Sequence, residues 1–154
     1  SSAIRINPDY AKAYYNRGNA YVRLGKSQLA LDDYSSVIRI IPDYATAYNN
    51  RGVVYKKLGK SQLEIDDYSS AIRINPDYAK AYYNRGVAYK KLGKSQLEID
   101  DYSSAIRINP AFLEAYNNRG NAKEKLGQYY CDDYKKACEL GAKRACSSFS
   151  SQCK

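Results

Sequence analysis

Small and apolar side chains return at Ala13, Tyr14, Arg17, Gly18, Ala20, Tyr21 and Leu24. That i, i+3, i+4, i+7 spacing, with Arg17 as its one charged member, predicts a helix from about Tyr10 to Leu24. Pro8 stops any helix ahead of it, Asp9 is placed to cap its start, and Gly25 suits a left-handed C-terminal cap. A second stripe, Leu31, Tyr34, Val37, Ile38 and Ile41, predicts a helix over about Gln28 to Ile40. A joining segment of a few residues forces the two helices to lie antiparallel.

The pattern then repeats. Residues 41–74 and 75–108 differ at four of 34 positions, and residues 7–40 differ from 75–108 at six. The first six residues, SSAIRI, duplicate residues 69–74, so the chain reads as a half-repeat at 1–6 followed by repeats at 7–40, 41–74 and 75–108. A diverged fourth repeat occupies 109–141, and residues 142–154 form a Ser- and Cys-rich capping helix or tail. The half-repeat lacks its first helix and leaves an apolar edge that another chain could cover, which predicts weak end-to-end self-association. A lone helix pair cannot bury its apolar face, whereas stacked pairs can, so the fold predicted is an all-α solenoid. Ser61–Glu64 and Ser95–Glu98 read as capping boxes at the starts of second helices. In the fourth repeat, Asp132-Asp133-Tyr134 follows Asp100-Asp101-Tyr102 by 32 residues, which predicts an inter-helix turn shortened by two.

The motif Tyr14-x2-Arg17-Gly18-x2-Tyr21, then Ala30-x3-Tyr34, then Pro42, at a period of 34 residues, resembles the tetratricopeptide repeat. The second and third repeats keep Tyr48, Gly52, Tyr55, Tyr68, Pro76 and Tyr82, Gly86, Tyr89, Tyr102, Pro110. The resemblance implies a right-handed superhelical solenoid, first helices lining a concave peptide-binding surface, and a non-catalytic protein-interaction scaffold. Arg17, Arg51, Arg85 and Arg119 depart from it by replacing the usual Leu. Because Asp32-Asp33 and its copies recur with the same period, each Arg is expected to make a structural ion pair.

The family's ligand-facing register positions are 2, 5, 6, 9, 12 and 13, counted from Ala11, Ala45, Ala79 and Leu113. Position 6 is Asn16, Asn50, Asn84 and Asn118, and each amide offers a donor and an acceptor suited to a peptide unit. Lys12 and Lys80 at position 2, and Arg23, Lys56, Lys57, Lys90, Lys91 and Lys125 at positions 12 and 13, surround these with positive charge. Tyr15 and Tyr83 add flat aromatic surface at position 5, and Asn19 stands at position 9. The implied partner is therefore an extended acidic peptide. Some family members grip a terminal carboxylate with five residues on three repeats. Here Tyr15, Asn19, Asn50, Lys80 and Asn84 stand at those positions and keep three of the five, without the charged pair, so a full clamp is not expected. The other Tyr residues are read as packing residues with their hydroxyls at the surface.

Cys131, Cys138, Cys146 and Cys153 crowd the last 24 residues at spacings of 7, 8 and 7. A hairpin turning near Gly141-Ala142 would place Cys138 opposite Cys146 and Cys131 opposite Cys153. Both pairs could be disulfides, as in stapled helical pairs of secreted relatives, or four buried thiols in a reducing cytosol. The compartment stays open with them; metal binding is not expected, because the two layers cannot converge on one ion.

Composition narrows the rest. Lys and Arg number 25 against 16 acidic residues, a net charge of +9, and there is no His, Met or Trp. With no His and no Gly-rich phosphate loop, no enzymatic role, small-molecule substrate or cofactor is expected. No apolar run approaches the roughly 18 residues of a membrane span, and no stretch of these residues reads as a basic-then-apolar leader, so neither is expected within them. Two other classes fit less well. One is an RNA-binding helical repeat, disfavoured because identical rungs would read a monotonous sequence. The other is a structural array that self-associates through its ends.

Overall fold

The computed structural model describes residues 8–153. The half-repeat at 1–6, and the apolar edge expected of it, lie outside these residues. Among the described residues there are nine helices and no strand: α1 (Pro8–Arg23), α2 (Ser27–Ile40), α3 (Ala45–Lys57), α4 (Ser61–Ile74), α5 (Ala79–Lys91), α6 (Ser95–Ile108), α7 (Leu113–Lys125), α8 (Cys131–Glu139) and α9 (Lys143–Gln152). None is long and apolar enough to cross a membrane. The chain divides into two compact units, residues 1–76 and 77–154.

In the first unit α1 pairs with α2, α3 with α4, and α3 lies against α2. Two clusters fill its core. Ala30, Leu31 and Tyr34 of α2 meet Val54 of α3, and Val37 meets Ala11 and Ala47. In the second unit α5 pairs with α6, α7 packs between α6 and α8, and α9 closes on α8. Its clusters join Tyr102, Ala105 and Ala115, and Tyr134, Ala137 and Ala145.

The repeated close approach at the heart of each pair depends on glycine. A Cβ on Gly52 would stand 2.7 Å from Cε1 of Tyr68, and on Gly86 or Gly120 2.8 Å from that of Tyr102 or Tyr134. The ring thus lies flat against the backbone of the first helix. Each pair turns through Gly25, Gly59, Gly93 or Gly127, all at φ between 66° and 69°, where residues with a Cβ are strained.

Each Arg is held as the period implied, by the second Asp of its pair. The guanidinium nitrogens Nε and Nη2 of Arg51 donate to the two carboxylate oxygens of Asp67 at 2.8 and 2.7 Å. Arg17–Asp33, Arg85–Asp101 and Arg119–Asp133 repeat the fork. Arg51 also donates to Ser35 Oγ of α2 at 3.0 Å, and Arg119 to Ser103 Oγ of α6 at 2.9 Å, so the ion pair ties successive repeats. Two tyrosines flank the guanidinium of Arg17, Arg51 and Arg85, Tyr48 and Tyr55 for Arg51 with ring centroids 5.6 and 5.9 Å away, and Tyr116 faces that of Arg119. The first Asp of each pair faces solvent; Asp32, Asp66 and Asp100 accept a bond from the Gln four residues before them, and Asp132 accepts one from the Tyr129 hydroxyl at 3.3 Å.

Several expectations need correction. α1 begins at Pro8, so Asp9 lies inside the first turn and acts there as a charge at the helix's positive end. Ala13 is exposed, whereas Ala47, Ala81 and Ala115 at its register are buried. Leu24 is 68% exposed because the helix has already ended and the turn carries it outward. The capping boxes do not form. Lys60 and Lys94 occupy the cap positions without a side-chain bond, and Glu64 and Glu98 stand one residue too deep in the helix, both buried. Tyr34, Tyr68, Tyr102 and Tyr134 are at most 2% exposed, hydroxyl included, because the ring slots under the glycine. In the fourth repeat the deletion is taken from α8, whose nine residues replace the fourteen of α6, and the turn ahead of it is longer. Without the Ser-Gln-Leu start, Gln128-Tyr129-Tyr130 stays out of the helix.

Candidate peptide-binding face

The position-6 asparagines differ in setting. Asn16 is exposed, Asn50 and Asn118 are half-buried, and Asn84 is 7% exposed. Asn50 belongs to a polar lattice within the first unit. Its amide nitrogen donates to the Tyr15 hydroxyl at 3.0 Å and to Asn19 Oδ1 at 3.3 Å, while its Oδ1 accepts from Asn49 at 3.3 Å. Asn118 repeats one element in the second unit, donating to the Tyr83 hydroxyl at 3.1 Å. Each of these amides is thereby fixed by the tyrosine one repeat earlier. Asn50 keeps one acceptor lone pair for a ligand, and it can donate only by giving up Tyr15 or Asn19.

Tyr15 and Tyr83 are half-buried and pack edgewise or tilted on Tyr44 and Phe112. A cavity of about 350 Å³ in the first unit is lined by Ala11, Lys12, Tyr15, Asn16, Ile41 and Tyr44. Its register equivalent in the second unit, about 310 Å³, is lined by Tyr83, Leu113, Glu114, Asn117, Asn118, Ala142, Lys143 and Arg144. Register positions 1, 2, 5 and 6 of a first helix thus meet the turn that follows its own helix pair and leads into the next helix.

Of the cations, Lys12, Arg23, Lys57, Lys80, Lys90, Lys91 and Lys125 are exposed and Lys56 is half-buried. Lys90 and Lys125 have a structural duty as well. Burial pushes the Glu98 carboxyl up from its ordinary range, and the positive charge of these two lysines opposes that shift.

Asn19 has a role the sequence reading missed. It accepts the buried Tyr34 hydroxyl at 2.7 Å, as Asn121 and Glu124 accept that of Tyr134. Where position 9 is Val53 or Val87, the second helix carries Glu64 or Glu98 instead, and that acid acts on Tyr68 or Tyr102. The alternation of Asn19 with Ala30, and of Val53 with Glu64, was visible in the chain as a signal.

At the C-terminal end, Cys131 is bonded to Cys153 and Cys138 to Cys146, with Cα atoms 5.6 and 4.6 Å apart. The two bonds tie α8 to α9 across the turn at Gly141. Lys143 and Arg144, also missed, stand at the first two positions of α9, in the register of Leu113 and Glu114 on α7.

The tetratricopeptide repeat models match residues 1–25, 18–59, 65–93 and 45–78, and the chain belongs to that family of protein-interaction scaffolds. A crystal structure of MamA is 29% identical, with a TM-score of 0.82 over 90% of this chain and 82% of that one. The first TPR of Spaghetti (RPAP3), solved with the HSP90 peptide SRMEEVD, is 28% identical, with a TM-score of 0.77 over 82% of this chain and all of that one. The Arabidopsis OM64 TPR domain, 23% identical with a TM-score of 0.74, covers 77% of this chain and 98% of its own and shares the fold. No curated protein sequence matches.

Proposed function

We propose that this chain is a non-catalytic scaffold that holds an extended acidic peptide against its first helices. The observation that carries the reading is the fixed polar lattice on that face. Tyr15, Asn19 and Asn49 hold Asn50 with a lone pair still to offer, and exposed lysines stand at positions 2, 12 and 13 of the same helices. A pre-oriented amide loses little entropy on gripping a backbone N–H, and the lysines favour carboxylates by long-range attraction. RPAP3, which shares the fold at 28% identity, was solved with SRMEEVD, a peptide carrying three acidic side chains. The terminal-carboxylate residues of the family's clamps are only partly present here, with Asn19, Asn50 and Lys80 in place.

The test is fluorescence anisotropy of a labelled Glu-rich peptide at increasing salt, with wild type and with Asn50→Ala plus Asn84→Ala. Binding should weaken with salt and weaken further, by about tenfold, in the double variant, as expected for two lost hydrogen bonds. Binding unchanged by the double substitution would remove the asparagines from the account. Preferential retention of single-stranded RNA over the peptide would overturn the partner class.

A further inference from the structure

The register of α9 suggests more than a cap. Ala142 takes the place of Phe112 ahead of α7, and Lys143 and Arg144 follow it as Leu113 and Glu114 follow Phe112. α9 therefore stands as the first helix of a fifth repeat, cut to ten residues, with a cation at each of its first two positions. The cavity of about 310 Å³ is closed on one side by Tyr83, Asn117 and Asn118, and on the other by Ala142, Lys143 and Arg144. Asn118 is oriented by its bond to the Tyr83 hydroxyl. Glu114 is the acidic member of the lining, opposite the two cations. No ion pair of Lys143 or Arg144 occurs among the described residues, and both are exposed, so their charge is available to a ligand.

We infer that this cavity is a carboxylate subsite, in which Arg144 and Lys143 take an acidic side chain of the bound peptide while Asn118 contacts its backbone. The inference rests on the peptide-binding reading above and adds the place where one acidic side chain is fixed. Ten residues with four serines could not hold such a helix by burial alone, since Ala145 is its one buried residue. The Cys138–Cys146 bond fastens α9 one residue beyond Ala145, and Cys131–Cys153 fastens its far end. The subsite therefore exists in the oxidised chain and is lost when the thiols are freed, so peptide affinity follows the redox state.

The experiment uses the whole unreduced chain, the same Glu-rich peptide at low salt, and a parallel titration with the blocked dipeptide acetyl-Glu-Glu-amide followed by backbone amide NMR. Arg144→Ala should weaken the peptide about tenfold, the size of one charge-assisted contact. Glu114→Gln, which removes the repelling charge, should tighten it. Cys138→Ser plus Cys146→Ser should weaken it as Arg144→Ala does, with little further loss when the two are combined. The dipeptide should shift the amides of Arg144 and Asn118. If the peptide binds and Arg144→Ala and Glu114→Gln both leave its affinity unchanged, the subsite is refuted while the scaffold reading stands. If the peptide fails to bind but the dipeptide shifts Arg144, the scaffold reading falls and the subsite survives. Four free thiols on the unreduced, denatured chain would overturn the redox dependence.

Discussion

Gly52→Ala separates tertiary packing from helix preference within a single methyl group. In an exposed helix the change stabilises by up to about 1 kcal/mol, because Ala restricts the unfolded chain. Here the new Cβ would stand 2.7 Å from Cε1 and 3.0 Å from Cδ1 of Tyr68, a ring with no exposed surface. Carbon atoms need roughly 3.5 Å or more, so the ring or α3 must move by most of an ångström in a packed interior. Overpacking of this kind costs about 1–3 kcal/mol, so the net loss should be about 1–2 kcal/mol. Urea unfolding followed by circular dichroism measures it, with Gly18→Ala as a milder neighbour at 3.0 Å. Removing the obstruction reverses the sign: in a Tyr68→Leu background, Gly52→Ala should be neutral or stabilising. A stabilisation by Gly52→Ala in the wild-type background would refute the ring-under-glycine account.

Arg51→Ala strips the forked partner from Asp67, whose side chain is 6% exposed, and should cost about 3 kcal/mol in the same assay. Arg51→Ala with Asp67→Asn should recover much of that loss, and a cost that is additive in the double variant would contradict the pairing. Glu98→Gln tests burial of the second-helix acid. The folded carboxyl lies above its ordinary 4.5, chiefly through burial, so the native state binds the proton more tightly than the unfolded chain. That stability is fully present below 4.5 and is lost as the pH rises through the raised value. Glu98→Gln should therefore be more stable than wild type at pH 7, with the advantage shrinking as the pH falls toward 4, and a gap that widens on acidification would contradict it.

The period carried most of the fold because it copies chemistry and register together. An Arg on one helix and an Asp sixteen residues on recur in three repeats, and a cation on a packing face calls for a carboxylate partner. What the period hid was the depth of individual side chains. Ser61-x2-Glu64 satisfies the capping pattern, yet the turn at the left-handed Gly59 starts the helix at Ser61, so Glu64 falls one position beyond the third helical residue that a capping box uses and is buried. The tyrosine hydroxyls looked amphipathic, and only the glycine slot decides that Tyr68 and Tyr102 lie wholly inside. The asparagines illustrate a different limit. Their place on one face of the first helices was legible, but Asn50 is engaged by Tyr15 from 35 residues earlier, a contact that no local pattern encodes. Lys143 and Arg144 escaped notice because the serine-rich, cysteine-spaced tail disguises a first-helix register.

The side-chain amide signals of the asparagines test the central claim, that the first helices hold an acidic peptide, most directly. On titration of the unreduced protein with the Glu-rich peptide, the Nδ2 resonances of Asn16, Asn50, Asn84 and Asn118 should shift. Those of Gln62 and Gln96, exposed on the second helices and bonded to Asp66 and Asp100, should stay in place. Movement of the glutamine signals with the asparagines unmoved would place the ligand on the second helices and contradict the account.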